Sequence, residues 1–120
     1  MNLKIENQNL RFKISENELK KLLLKEILGT KVTFLDNKFI VSILPFSSKN
    51  NIELKSTLEE NLEEKKLEQN CIYLNLSITE KEIQKLVEMG KSRLGIKFKI
   101  EEILVSLQVD MRDDSRKTSL

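Results

Sequence analysis

Shifted by 64 residues, the sequence lies on itself without a gap from Leu10 to Ile43. Leu10, Ile14, Glu16, Glu18, Lys21, Leu22, Phe34, Val41 and Ser42 recur as Leu74, Ile78, Glu80, Glu82, Lys85, Leu86, Phe98, Val105 and Ser106. Nine identities in 34 positions is a modest count, but apolar character is also kept at Phe12 and Leu76, Leu19 and Ile83, Leu23 and Val87, and Val32 and Ile96. It is kept again at Phe39 and Ile103, Ile40 and Leu104, and Ile43 and Leu107. A registered apolar pattern of this kind predicts structural duplication, and duplication limits the fold more than any single motif.

Each copy reads as strand, helix, strand, strand. Leu10, Phe12 and Ile14 alternate with Arg11 and Lys13, the period of a half-buried strand. Ser15 with Glu18, and Thr79 with Glu82, have capping-box spacing, so a helix is predicted after each. Leu19, Leu22, Leu23 and Ile27 then share one helical face, as Ile83, Leu86 and Val87 do in the second copy. Gly29 and Gly90 are placed to end those helices in the left-handed conformation. Val32 and Phe34, and Leu94, Ile96, Phe98 and Ile100, read as the next strands. Asp36-Asn37-Lys38 and Glu101-Glu102 supply turns before the closing strands at Phe39–Leu44 and Ile103–Val109.

One such unit has too little apolar surface to stand alone. Two copies on one chain can bury their faces together about a pseudo-twofold axis. The expected fold is therefore α+β, with two tandem strand-helix-strand-strand repeats (about 10–46 and 74–110) in one sheet or barrel-like core. Residues 1–110 would form a single domain and the polar stretch 111–120 a flexible tail. The connector, 47–73, is Glu-rich. Ile52, Leu54, Ser56 and Leu58 alternate with polar residues and predict a strand over 52–56. Thr57–Gln69 is rich in helix formers and opens with the capping pair Thr57 and Glu60, so that strand is expected to pass into a solvated helix.

Lys4-Ile5 followed by Asn9-Leu10-Arg11-Phe12-Lys13-Ile14-Ser15-Glu16-Asn17-Glu18-Leu19 resembles the opening of an uncharacterised bacterial family known only as a domain of unknown function. That family begins with a Lys-Ile strand and a Ser-Leu-Arg-x-Arg-Leu-Thr-x-x-Glu-Val segment. The likeness continues through Ile72 to Leu76, Gly95 and Glu102 to Asp110, and implies no particular activity. At the level of shape, a strand, a short helix headed by Ser-x-x-Glu-Leu and a hairpin over Lys31–Leu44 is similar to the swapped-hairpin units of AbrB- and MraZ-type regulators. That resemblance implies DNA binding.

The residue inventory narrows the chemistry. The 120 residues include no His and one Cys, Cys71. A single Cys leaves no internal disulfide, and without His there is no standard structural zinc site and no usual base near neutral pH. Adjacent carboxylates at Glu59-Glu60, Glu63-Glu64 and Glu101-Glu102 are expected to be solvated rather than held across a cleft as acid and base. Asp110, Asp113 and Asp114 are not spaced as a calcium loop. Cys71 opens an apolar strand and is expected to be a buried small residue, with no His to activate it. Gly29-Thr30-Lys31 lacks the flanking residues of a phosphate loop. No catalytic, cofactor-binding or metal-binding residue is assigned, and no cofactor is expected.

Lys plus Arg is 21 and Asp plus Glu 19, a net charge of +2, which by itself calls for no polyanion. Arg11, Lys13, Lys97 and Lys99 point away from the apolar face of their strands and, with Lys4, Lys31 and Arg93, could contact phosphates. The ordinary alternative is that outward positions on a sheet are charged for solubility and edge protection. Acidic residues at Glu101, Glu102 or in the connector are expected to fall between the two pairs. No segment has the apolar run of a membrane span or signal peptide, so a cytoplasmic location is expected. The leading expectation is a small non-enzymatic binding or scaffolding protein acting through a protein partner or self-association, as monomer or homodimer. The alternative is an AbrB/MraZ-like DNA-binding regulator, and a small enzyme comes third.

Overall fold

Three two-residue turns organise much of the chain. The computed structural model describes residues 1–61, 66–89 and 95–110. Asn7-Gln8 joins β1 (Asn2–Glu6) to β2 (Asn9–Ser15), and Leu35-Asp36 joins β3 (Leu28–Phe34) to β4 (Asn37–Leu44). After β5 (Asn51–Asn61) and β6 (Lys66–Ser77), Glu101-Glu102 joins β7 (Ile96–Ile100) to β8 (Ile103–Asp110). The first residue of each turn has positive φ: 54° at Asn7, 56° at Leu35 and 53° at Glu101. That matches the twist of tight hairpins.

Helices α1 (Glu16–Leu23) and α2 (Glu80–Met89) follow β2 and β6. At α1 the predicted capping box is complete: the Glu18 amide donates to Ser15 Oγ at 3.1 Å, and the Ser15 amide donates to Glu18 Oε1 at 2.9 Å. Burial pushes the Glu18 carboxyl up, but the Ser15 amide, the N-terminal ammonium at 3.0 Å and the Ser15 hydroxyl outweigh it, leaving the pKa below the usual value. At α2 the Glu82 amide donates to Thr79 Oγ1, while the Thr79 amide donates to Asn50 Oδ1 at 3.0 Å. A loop asparagine thus takes the position expected for the Glu82 carboxylate.

The strands form two four-stranded sheets, ordered β1-β2-β8-β7 (sheet A) and β3-β4-β6-β5 (sheet B). Both are antiparallel at the edges and parallel at the central seam, where β2 lies beside β8 and β4 beside β6. Phe12, Ile14, Val105, Leu107 and Val109 of sheet A, Val41, Ile43, Leu74 and Leu76 of sheet B, and Leu22, Ile83 and Leu86 of the helices join one buried cluster. The fold is α+β, with two sheets rather than one continuous sheet.

Several local expectations differ. The stretch after Ser56 does not turn helical: β5 runs on to Asn61 and β6 begins at Lys66, because cross-strand pairing outweighs the helix propensity of the Glu-rich segment. Residues 62–65, between them, lie outside the described residues, as do Gly90, Arg93 and the expected tail 111–120. Gly29 does not end α1; it sits inside β3, and the chain reverses earlier at Lys25, whose φ is 66°. Leu23 and Ile27 are exposed, so Leu22 and half-buried Leu19 anchor α1. Leu10 and Phe98 are half-buried, and Phe34 is not in the core at all. A further strand precedes each predicted unit, β1 in the first and β5 in the second.

Candidate interaction surfaces

Burial decays along the inner face of sheet B toward the β3–β4 turn. The row Leu28–Ile43–Leu76–Ile52 is buried except for half-buried Ile52. In the next row Thr30–Val41–Leu74–Leu54, the two central residues are buried and the edge residues exposed. Farther out run Val32–Phe39–Ile72–Ser56 and then Phe34–Asn37–Asn70. Val32, Phe34 and Leu54 are 57%, 68% and 68% exposed, and Leu35 at the tip is 78% exposed. The described side chains of these rows include no charge. The strands of sheet B run past the end of the core, and the overhang keeps the apolar alternation of a buried face. Sequence reasoning had the alternation and missed the overhang.

Leu35 adds a separate anomaly. A non-glycine residue at positive φ costs about 1–2 kcal/mol, and asparagine is among the residues that accept it best. Asn7 occupies the equivalent position of the first hairpin. Leu35 has neither the local preference nor the burial that would compensate.

Arg11, Lys13, Lys97 and Lys99 share the outer face of sheet A. The register sets Lys4, Arg11, Ser106 and Lys97 side by side across all four strands. Lys13 lies two residues along β2 beside Gln108, and Lys99 two along β7 beside Leu104. Arg11 and Lys97 are two strand spacings apart, about 10 Å. Among the described residues no acidic side chain comes between the pairs, contrary to expectation. The intervening strand β8 presents Leu104, Ser106 and Gln108, while Glu101 and Glu102 are consumed in the turn. Glu6 and Asp110 belong to the rim, and Glu6 is 3.7 Å from Lys4. Lys31 belongs to sheet B.

Other candidates resolve into structure. Cys71 is buried in β6, and Gly29-Thr30-Lys31 lies within β3 rather than in a phosphate-binding loop. An open depression of about 400 Å³ lies between α2 and β7, lined by Glu82, Lys85, Glu88, Met89, Gly95, Ile96 and Lys97. Its lysine and acid chemistry is local, with Lys85 held 3.7 Å from Glu82. Among the described residues, no cluster of three or more His, Cys, Asp or Glu is placed to hold a metal, and no helix is long and apolar enough to cross a membrane. No protein-family model matches the chain, and no curated protein or solved structure shows significant similarity to it.

Proposed function

We propose that this chain is a non-enzymatic binding module acting through protein contact, with the overhanging inner face of sheet B as its docking surface. The observation that carries the reading is the exposed, uncharged pair Val32 and Phe34 on β3 beside Leu35, with exposed Leu54 on β5 at the opposite edge of the same face. Contiguous apolar surface kept out of a core is the usual mark of an interface.

Duplication about a pseudo-twofold accounts for how the overhang arises. Leu10 faces Val105 across one parallel seam and Leu74 faces Val41 across the other, and both pairs obey the 64-residue shift. The outer hairpins do not. Phe98 faces Val105 and Thr30 faces Val41, so the counterpart of Phe98 is Thr30, not Phe34. On this reading the β3–β4 hairpin reaches two residues farther on each strand than β7–β8, and the extra length carries Phe34 and Leu35 beyond the core.

The triple substitution Val32→Thr, Phe34→Thr and Leu54→Thr should change stability by less than about 1 kcal/mol, since all three side chains are exposed. It should also strip specific partners from the protein, read by quantitative comparison of what co-purifies with each form. Identical partner sets, with the variant folded, would sink the proposal.

A second reading, nucleic-acid binding as the resemblance to AbrB- and MraZ-type regulators implies, is favoured by the continuous row through Lys4, Arg11 and Lys97. Changing Arg11, Lys13, Lys97 and Lys99 to Gln should then remove DNA affinity. Wild-type affinity should fall with salt at a log–log slope of about −0.9 per phosphate contact. Salt-independent binding, or affinity retained by the variant, contradicts that reading.

A further inference from the structure

We propose that the edge of β3, which among the described residues pairs with no strand but β4, pairs with itself: two copies of this chain join with their β3 strands antiparallel, extending sheet B to eight strands across a twofold axis. The inference rests on the reading of the sheet B overhang as a docking surface and places a second copy against the β3 edge of that overhang.

The edges of the two sheets differ in their protection. Charged side chains on an edge strand discourage pairing with another chain. β1 carries Lys4 and Glu6, β5 carries Glu53 and Lys55, and β7 carries Lys97 and Lys99. β3 carries Lys31 alone in seven residues, and every residue after Leu28 is exposed. Thr30, Val32, Thr33 and Phe34 are residue types that favour strands. This edge has backbone groups to pair, side chains suited to pairing and little to oppose it.

Self-complementarity selects a second copy over another chain. With the axis at Val32, Thr30 lies opposite Phe34 of the partner subunit, and Lys31 opposite Thr33 of the partner subunit. Val32 meets its own counterpart on the axis. These are β-branched and aromatic cross-strand pairs with no like charges opposed. Moving the axis to Lys31 would set two ammonium groups face to face. The chosen register also brings the strained Leu35 turn alongside Gly29 of the partner subunit, a position with no side chain to obstruct it. The inner rows of both copies then lie on the same side of the enlarged sheet, because antiparallel partners share a face. A net charge of +2 per chain offers little repulsion to association.

The test uses the purified full chain. Sedimentation equilibrium should show a reversible monomer–dimer equilibrium in the micromolar range. Val32→Lys and Val32→Glu should each be monomeric, because like charges meet on the axis, while each keeps the wild-type circular dichroism. Mixing the two variants in equal amounts should restore the dimer, since lysine then faces glutamate. A wild type that stays monomeric throughout, variants that dimerise as well as wild type, or a mixture that fails to re-form the dimer would each overturn the proposal. A purely monomeric wild type would leave the broader docking reading standing, because that reading is judged by the partners lost from the threonine triple variant.

Discussion

Gly95→Ala is expected to destabilise the protein by about 2–5 kcal/mol, as read by urea unfolding of both forms. Gly95 has a φ of 63°, and a Cβ there would lie 2.3 Å from the Leu107 carbonyl oxygen and 2.9 Å from Gln108 Cα. The left-handed conformation accounts for roughly 1–2 kcal/mol with any L side chain, and forced overpacking for roughly 1–3 more. Both contacts are backbone, so no rotamer change relieves them. The strand that would have to give way is β8, held between β2 and β7 in the middle of sheet A. Gly29→Ala is the control: its Cβ would meet nothing nearer than 3.7 Å, so its effect should stay within about 0.5 kcal/mol. A loss below 1 kcal/mol at Gly95 would show that β8 can shift without cost.

Residues 1–50 alone should fail to give a cooperative monomeric melt. That piece contains β1, β2, α1, β3 and β4, but the seam partner of β2 is β8 and that of β4 is β6. Both inner strands would present unpaired edges, and Phe12, Ile14, Val41 and Ile43 would lose Leu74, Leu76, Ile83, Leu86, Val105 and Leu107 from their cluster. The fragment should be unfolded or obligately dimeric, and adding residues 51–120 should recover strand signal in circular dichroism. A two-state, concentration-independent melt of residues 1–50 would mean that each half carries its own core.

Local chemistry was legible in the sequence wherever near neighbours decide the structure. The Ser15–Glu18 box, the alternation of Leu10, Phe12 and Ile14, and the Glu101-Glu102 turn all depend on residues a few positions apart. The strand over 52–56 was legible, but Thr57–Gln69 misled because its propensity is helical, while its fate depends on pairing Thr57, Leu58 and Glu59 with Cys71, Asn70 and Gln69. Phe34 misled for a different reason: a gapless shift assumes equal hairpins, and only the observed register reveals the longer one. The basic face needed the strand order as well. Arg11 and Lys97 become near neighbours because β8 inserts between their strands, and no spacing along the chain announces that.

The two parallel seams also set a timetable for synthesis. Leu10 must wait for its partner Val105, which is translated 95 residues later. Until β8 leaves the ribosome, the nascent β1–β2 hairpin has an open edge on β2. Sheet B can be assembled first, since β3 to β6 are all translated before β7. The last of the described strands to be made is therefore the one that completes sheet A. Contacts so distant along the chain slow folding, and an open edge held through translation invites mispairing. A chain built this way has reason to fold under chaperone protection, or to be made slowly enough that its two ends meet each other before they meet a neighbour's.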